Sequence, residues 1–181
     1  MNELFSDLEV GNAVIGVSLY SKLINASKGR GVFCSSVIKT HIFLGIYPGP
    51  IITAEAAHLL EKQDPDATEC YLFFFDAKPT DYVRTLVYGT ATGRGKHGQK
   101  PITLCYDASP PAVDYSKSEN SCGLFNHSKN NPNMHFEVNY LQNGCPVICF
   151  FASRDIQPST ELVFDYNDRR KLGKELSWLN Q

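Results

Sequence analysis

The sequence predicts one mainly β domain with short helices. Valine, isoleucine, phenylalanine and tyrosine occur in short runs that glycine and proline separate, which is typical of strands joined by tight turns. Helix signals are few by comparison. The 181 residues suit a single domain and are enough to bury a core without metal or disulfide support.

The predicted strands are short segments rich in β-branched and aromatic residues. They cover residues 13–18, 31–34, 42–47, 71–75, 136–140, 147–152 and 162–164. The best helix signal has Thr53 as N-cap and Glu55 in the first turn, and it ends at the Asp-Pro pair of residues 64–65. A second short helix is predicted over residues 169–176.

Two polar connections interrupt this pattern. Residues 76–103 shift toward Gly, Lys, Arg and His, which predicts an exposed loop or hairpin tip. Residues 108–121 form the second connection. No internal repeat or domain boundary accompanies them.

Charge and apolar content exclude several classes of protein. The net charge is −2 and charged residues make up 20%, so the sequence gives no support to nucleic-acid binding. No stretch approaches the 18 apolar residues of a membrane-spanning helix, and residues 1–8 do not resemble a signal peptide. We therefore expect a soluble protein that no signal peptide directs to secretion.

The cysteines do not follow a metal-binding pattern. Structural zinc needs clustered thiolates, and no C-x-x-C pair occurs. We expect reduced and mostly buried thiols at positions 34, 70, 105, 122, 145 and 149.

Three motifs carry the functional signal, and each alone has an ordinary structural interpretation. Gly29-Arg30-Gly31 reads as a turn entering a strand, where glycine lets the backbone approach a ligand. Residues 126–128, Asn-His-Ser, read as a polar turn with a buried histidine. Residues 161–166, Glu-Leu-Val-Phe-Asp-Tyr, read as a strand that ends in a core aromatic. Their order and spacing together make chance an unsatisfactory explanation.

In that order, the motifs resemble the SET-domain protein lysine methyltransferases, over residues 22–179. The resemblance is nearest to the group that monomethylates the tail of the fourth core histone, the PR-Set type. It implies a SET domain of small twisted sheets with a C-terminal pseudoknot, in which one segment passes through a loop made by another. The implied organisation is an N-terminal flanking segment (1–21), the SET domain (22–168) with an insertion (76–103), and a post-SET segment without zinc (169–181).

The resemblance also implies a cofactor, S-adenosylmethionine, and no metal. Asn126 would bind its amino-acid end, and the His127 main chain would meet its adenine. Trp178 would pack over the adenine, with a role in capping the core as an equal alternative. The implied cofactor-binding residues are Lys28, Gly29, Arg30, Tyr71, Asn126, His127 and Trp178.

By the same resemblance, Tyr166 is the catalytic residue. Its hydroxyl would help to align the lysine nitrogen with the methyl group. The walls of the lysine channel would be Tyr47, Tyr71, Phe164 and Tyr166. Phe164 occupies the position where tyrosine is usual in the group, and the smaller phenylalanine implies that this chain can go beyond monomethylation.

The implied function is transfer of methyl groups from S-adenosylmethionine to a lysine, with S-adenosylhomocysteine as product. A histone tail or nucleosome is the expected substrate, and a nuclear or chromatin-associated location is expected with it. We also expect the enzyme to be a monomer. Two alternatives stay open: a catalytically silent SET-fold peptide-binding module, and a methyltransferase of a non-histone protein that is cytoplasmic or host-directed.

Substrate identity does not follow directly from the resemblance, because two segments depart from the group. Residues 76–103 are longer than expected, and residues 108–121 diverge and lack an expected basic residue near Gly123. Within the longer segment, residues 92–100 resemble the N-terminal tail of a core histone. A solvated loop is the favoured interpretation there, and a pseudosubstrate or automethylation site at Lys96 is the alternative.

Overall fold

The computed structural model describes residues 17–26, 28–65, 71–89, 100–110 and 112–166. The strands in these ranges are β1 (Leu19–Asn25), β2 (Gly29–Cys34), β3 (Phe43–Ile46), β4 (Ile51–Thr53), β5 (Leu72–Ala77), β6 (Ile102–Asp107), β7 (Asn126–His127), β8 (Met134–Tyr140), β9 (Pro146–Ala152) and β10 (Val163–Phe164). The helices are α1 (Ala54–Gln63), α2 (Asp81–Tyr88) and a 3₁₀ helix (Ser118–Leu124).

The described strands form small sheets. Strands β1 and β2 make an antiparallel pair, and β3-β9-β8 and β4-β6-β5 are antiparallel sheets of three strands. Strands β7 and β10 pair in parallel. The prediction of a mainly β fold with short helices is confirmed.

Most predicted elements are present with small differences at their ends. Six of the predicted strands correspond to β2, β3, β5, β8, β9 and β10. The Thr53 cap of α1 is confirmed, because its hydroxyl accepts a hydrogen bond from the Ala56 N–H at 3.2 Å. The prediction for residues 13–18 is wrong where it can be compared, since the strand begins at Leu19 and pairs from there with Cys34 of β2. Residues 13–16 and the predicted helix at 169–176 lie outside the described residues.

The prediction of a loop over residues 76–103 is wrong at both ends of the segment. Strand β5 continues to Ala77 and β6 begins at Ile102. Helix α2 lies between them, capped by the Thr80 hydroxyl, which accepts from the Val83 N–H at 3.2 Å. Gly89 ends the helix with a left-handed φ of 76°, a conformation that glycine adopts without a steric penalty. Lys96 lies outside the described residues.

The prediction of a polar connection over residues 108–121 is also incomplete. Ala108, Ser109 and Val113 are buried in this segment. The Asp107 carboxylate accepts from the Ser109 N–H at 2.9 Å and satisfies that buried donor. The segment therefore belongs to the core at its start and joins the 3₁₀ helix at its end.

An aromatic cluster forms the centre of the core. Phe73 and Phe150 are fully buried, and the Phe164 ring lies 6.1 Å from the first and 5.0 Å from the second. Phe136 packs edge-on against Phe73 at 5.0 Å. Such ring pairs contribute about 0.5–1.5 kcal/mol each beyond their buried area. The cluster fixes the segment that continues from Phe164 to Tyr166.

The C-terminal part of the described chain joins three separate regions. The Leu162 N–H donates to the Val32 oxygen at 2.8 Å, and the Ser128 N–H donates to the Phe164 oxygen at 3.0 Å. Parallel strands need a long connection, and the β8-β9 hairpin provides it between β7 and β10. This arrangement brings the three motif regions together, and the threading of a pseudoknot stays a prediction.

Candidate active site

The first motif forms the turn between β1 and β2, here called the glycine turn (residues 28–31). The Lys28 N–H donates to the Asn25 side-chain oxygen at 2.7 Å, which closes the turn. Gly29 has a φ of +70°, and apart from its chain neighbours no described residue places an atom within 4 Å of the position where a Cβ would stand. The Arg30 guanidinium bonds the Ser21 hydroxyl at 2.9 Å and so points along β1. The turn therefore offers open space and main-chain atoms to a ligand.

Gly31 is enclosed where Gly29 is open. A Cβ on Gly31 would lie 2.6 Å from Ile24 Cδ1, 2.8 Å from Glu161 Oε1 and 2.9 Å from Asn126 Nδ2. Contacts below about 3 Å force neighbouring atoms to move. The first and third motifs consequently meet at a position where no side chain fits.

Asn126 connects these two motifs through its side-chain amide. Its Nδ2 group donates to the Arg30 main-chain oxygen at 3.1 Å and to Glu161 Oε1 at 2.8 Å. Both partners are acceptors, so the orientation of the amide is determined. Its oxygen is then the acceptor that the side chain can present to a ligand's ammonium group.

Asn133, which the motif reasoning did not identify, supports the same segment. Its side chain is 2% exposed and bonds the strand at both ends: Nδ2 donates to the Glu161 oxygen at 2.8 Å, and Oδ1 accepts from the Val163 N–H at 2.9 Å. The Asn133 N–H also donates to the Val163 oxygen at 3.0 Å. The buried Asn133 side chain therefore bonds main-chain groups that a neighbouring strand would otherwise bond, and it fixes the position of the third motif. Its partners lie 28 to 30 residues away in sequence, so spacing along the chain does not reveal this role.

Tyr166 lies at the end of this segment, with its side chain buried. Its hydroxyl donates to the Phe125 oxygen at 2.6 Å, and its ring lies 4.8 Å from Phe164. Its main-chain N–H donates to His127 Nδ1 at 3.0 Å. The catalytic candidate is thus held at its hydroxyl by the residue before the Asn-His-Ser motif and at its backbone by the histidine of that motif.

The hydrogen bond from Tyr166 also determines the form of the His127 ring. Because Nδ1 accepts a hydrogen bond, it carries no proton, and the imidazole is neutral with its proton on Nε2. Asp165 lies 3.7 Å from Nδ1, a separation that would otherwise indicate an ion pair. In the neutral form this contact is not an ion pair, and the histidine acts on Tyr166 as a hydrogen-bond acceptor.

The remaining predicted channel residues, Tyr47 and Tyr71, are joined by a hydrogen bond. Tyr47 is 4% exposed, and its hydroxyl donates to the Tyr71 oxygen at 3.1 Å. Its ring lies 4.9 Å from Phe73 and 6.3 Å from Phe150, both of which pack on Phe164. The structure therefore links Tyr47 to the Phe164 and Tyr166 pair through two intervening rings.

Tyr115 joins the channel residues and was not predicted. Its ring lies 6.0 Å from that of Tyr71, and its hydroxyl donates to the Ala108 oxygen at 2.6 Å. Burial raises the pKa of Tyr115 well above its usual range, and the neighbouring phenols of Tyr71 and Tyr166 raise it further. No motif contains this residue, so only the fold could reveal it.

The cysteines near the site are uncharged thiols. Burial raises the pKa of Cys122 to about 12 and that of Cys149 to about 11. Cys34, Cys105 and Cys145 are also free, whereas Cys70 lies outside the described residues. Thiols with such raised pKa values are poor nucleophiles and metal ligands at neutral pH.

The site fits the methionine end of S-adenosylmethionine. The open space above Gly29 admits a ligand to the main chain, and the Asn126 oxygen can accept from an ammonium group. Trp178, expected over the adenine, lies outside the described residues. In the described ranges, no cluster of three or more His, Cys, Asp or Glu side chains could hold a metal ion. None of the helices described is long and apolar enough to cross a membrane.

Two lysine methyltransferases are similar to this chain over most of its length. N-lysine methyltransferase KMT5A-A of Danio rerio is 30% identical over 156 residues, which are 84% of this chain and 36% of that protein. Histone-lysine N-methyltransferase Set8 of Drosophila melanogaster is 31% identical over 147 residues, 80% of this chain and 17% of that protein. The chain thus spans about a third of the length of the first relative and less of the second.

Solved structures agree with these similarities. CpSET8 from Cryptosporidium superposes with a TM-score of 0.59 at 30% identity, over 84% of this chain and 58% of that one. The Neurospora SET domain protein DIM-5 superposes with a TM-score of 0.55 at 24% identity, over 90% and 54% of the two chains, and supports the fold alone. Residues 29–167 match the family described as SET domain. This chain belongs to the SET-domain family.

Proposed function

We propose that this chain is an S-adenosylmethionine-dependent protein lysine N-methyltransferase that acts on a histone tail. The observation that carries the proposal is the position of Tyr166, whose buried hydroxyl is fixed on the Phe125 oxygen beside the Asn126 motif. The relatives that are 30–31% identical to this chain are named as lysine methyltransferases, which supports the proposal. The SET domain is proposed to span residues 22–168, with flanking segments at 1–21 and 169–181.

We propose that the glycine turn and Asn126 hold the cofactor. Lys28, Gly29 and Arg30 would contribute main-chain contacts, and Asn126 would accept from the ammonium group. The His127 main chain, Tyr71 and Trp178 are the proposed partners of the rest of the molecule. When bound, S-adenosylmethionine supplies a methyl group activated by a positive sulfonium and leaves as S-adenosylhomocysteine.

The lysine must reach this site as a neutral amine. A free lysine has a pKa of about 10.4, so it is protonated in solution at neutral pH. Tyr47, Tyr71, Phe164 and Tyr166 are largely aromatic surface, and such surroundings disfavour the ammonium form and lower its pKa. The lysine would lose its proton to solvent first, and its nitrogen lone pair could then form the new N–C bond as the bond between the methyl carbon and the sulfonium sulfur breaks.

Alignment is the principal contribution of Tyr166. Its hydroxyl donates its proton to the Phe125 oxygen, and a phenol oxygen can act as an acceptor as well as a donor, so we propose that it orients the lysine nitrogen. Orientation of two reactants can lower a barrier by several kcal/mol, up to about 7–11 in favourable cases. Tyr166 is held by two hydrogen bonds, one at its hydroxyl and one at its N–H. These bonds limit movement of the hydroxyl, and such movement would raise the barrier again.

Phe164 supports a product beyond monomethyllysine. Its ring is 2% exposed and lies 4.8 Å from that of Tyr166. A tyrosine at this position would place a hydroxyl where an additional methyl group would need space. We therefore propose that the chain produces di- or trimethyllysine.

A histone substrate is proposed from the names of the relatives, and with it a nuclear or chromatin-associated location and a monomeric state. A silent peptide-binding module is the alternative from another class, and the fixed hydroxyl of Tyr166 favours catalysis over it. A non-histone substrate is the second alternative, with a cytoplasmic or host-directed location.

Transfer of labelled methyl groups distinguishes these alternatives. The chain is incubated with labelled S-adenosylmethionine and, separately, with recombinant nucleosomes, free core histones or a ribosomal protein mixture. Label on a core histone supports the proposal, and label confined to the ribosomal mixture supports a non-histone substrate. Cofactor binding by calorimetry without transfer to any mixture would support the silent module.

A further inference from the structure

Tyr115 is tied to the lysine channel through the main chain. Its hydroxyl donates to the Ala108 oxygen at 2.6 Å, and the Ala108 N–H donates to the Tyr71 oxygen at 3.0 Å. The same Tyr71 oxygen accepts from the Tyr47 hydroxyl at 3.1 Å. The main chain of Ala108 therefore bonds both Tyr115 and Tyr71, whose rings lie 6.0 Å apart.

The hydroxyl end of the Tyr115 ring also lies against Gly123. A Cβ at Gly123 would collide with the Tyr115 hydroxyl and would lie 2.9 Å from its Cε1 atom. Gly123 stands two residues before Phe125, whose oxygen accepts from the Tyr166 hydroxyl. Tyr115 thus neighbours both Tyr71 and the stretch of main chain that holds the catalytic candidate.

The chemistry of this position suits a lysine side chain. Tyr115 stays an uncharged phenol at neutral pH, because burial and the adjacent phenols raise its pKa. Aromatic faces pack well against an alkyl chain, and they attract an ammonium group as the side chain enters, before its proton is lost to solvent. A partly buried ring beside Tyr71 therefore offers both interactions to the same ligand.

We propose that Tyr115 is a specificity-determining residue that forms a further wall of the lysine channel. It holds the alkyl chain of the substrate lysine against Tyr71 and directs the nitrogen toward Tyr166. The class of ligand recognised is a primary ammonium on an unbranched alkyl chain. This inference rests on the proposed function, because it assigns the channel a lysine.

A binding experiment tests the inference without methyl transfer. Tyrosine rings labelled with ¹³C are followed by NMR while n-butylammonium chloride is added, with sodium chloride at equal ionic strength as reference. We expect the resonances of Tyr115, assigned from their loss in Tyr115→Phe, to shift together with those of Tyr166. Tyr140 is the control, a partly buried tyrosine whose hydroxyl accepts from the Lys78 N–H at 2.6 Å. A Tyr115 resonance that does not move overturns the inference.

Kinetics separate a channel wall from a merely structural residue. We expect Tyr115→Leu, which removes the ring, to raise KM for core histones about tenfold, while kcat and the Kd for S-adenosylmethionine change less than about threefold. Tyr115→Phe keeps the ring and should restore KM to within about threefold of wild type. Tyr140→Leu is the control and measures how KM changes when a tyrosine outside the proposed channel is lost.

Different results would contradict the role of Tyr115 and the proposed methyltransferase function. If Tyr115→Leu matches Tyr140→Leu in KM while wild type is active, the inference is wrong and the proposed function stands. If kcat, KM and cofactor affinity all change in proportion to lost stability, Tyr115 is structural and the inference is also wrong. If wild type methylates no protein, the proposed function fails, and the NMR titration alone decides whether Tyr115 binds the alkylammonium.

Discussion

The hydroxyl of Tyr166 donates a 2.6 Å hydrogen bond to the main-chain oxygen of Phe125, one residue before the Asn-His motif. This bond joins two motifs that lie 41 residues apart in sequence. A tyrosine in a core usually seeks a hydrogen-bond partner for its hydroxyl, and here the partner is the backbone of the proposed cofactor site. The position of the hydroxyl is therefore coupled to the position of Asn126.

Substitution of Phe164 should change the product. We expect Phe164→Tyr to restrict wild-type di- or trimethylation to monomethylation, because the added hydroxyl takes the space of the extra methyl group. The hydroxyl enters a site that is 2% exposed, so the free energy of unfolding should fall by about 1–3 kcal/mol unless a partner is found. Mass spectrometry of a saturated reaction and urea denaturation measure the two effects. Wild type that stops at one methyl group would contradict the role given to Phe164.

Gly31 should not tolerate a methyl group. We expect Gly31→Ala to weaken S-adenosylmethionine binding at least about tenfold and to lower stability by about 1–3 kcal/mol, because its Cβ meets three side-chain atoms at 2.6–2.9 Å. Gly89→Ala is the control for a methyl group added without such contacts, since among the described residues beyond its chain neighbours no atom lies within 4 Å of that Cβ position at the end of α2, although its φ of +76° also strains the backbone. Calorimetric Kd values that rise equally in both variants would contradict a specific role for Gly31.

Asn133 should stabilise the segment that carries Phe164 and Tyr166. Asn133→Ala leaves the Val163 N–H and the Glu161 oxygen without their side-chain partner, and each orphaned group costs about 1–3 kcal/mol. We expect loss of activity to accompany this loss of stability. Asn143→Ala removes a bond to the Cys145 N–H in an exposed turn and should change stability by less than about 0.5 kcal/mol. Equal denaturation midpoints for the two variants would argue against the support given by Asn133.

Stability should decrease at alkaline pH because of the buried thiols. The pKa of Cys149 is raised to about 11 from 9.0, so the folded state keeps its proton while the unfolded chain releases one. The stabilising contribution is complete below about pH 9 and disappears as pH rises through 11. Cys122, with a pKa raised to about 12, acts in the same direction. The urea midpoint measured between pH 7 and 10.5 tests this. We expect Cys149→Ala to reduce the slope of the midpoint plotted against pH. An unchanged slope in that variant would assign the effect to other groups.

The sequence was sufficient where the signal is local. Phe164, Tyr166 and Asn126 stand in short motifs, and the Thr53 cap of α1 follows from residues three apart. Helix α2 was missed because Tyr, Val and Thr are weak helix formers, and it is stabilised instead by the Thr80 cap and the burial of Val83. Tertiary contacts outweighed propensity there.

The supporting residues of the site could not be predicted from spacing. Asn133 and Tyr115 act through partners that the fold brings close, and neither belongs to a pattern that repeats along the chain. The strand β6 was obscured because the polar composition before it suggested a loop that continued to residue 103. Long-range pairing with β4 and β5 decided that segment.

The most direct test of the central claim is the mass spectrum of core histones after single-turnover incubation with S-adenosylmethionine and wild type, Tyr166→Phe or Tyr140→Phe. We expect wild type and Tyr140→Phe to add methyl groups of 14 Da to lysine at similar rates, by the mass of a CH₂ unit. Tyr166→Phe should bind the cofactor with the same Kd and react about a hundredfold more slowly, because the aligning hydroxyl is lost. Transfer by Tyr166→Phe at the wild-type rate would contradict the assignment of Tyr166 as the catalytic residue.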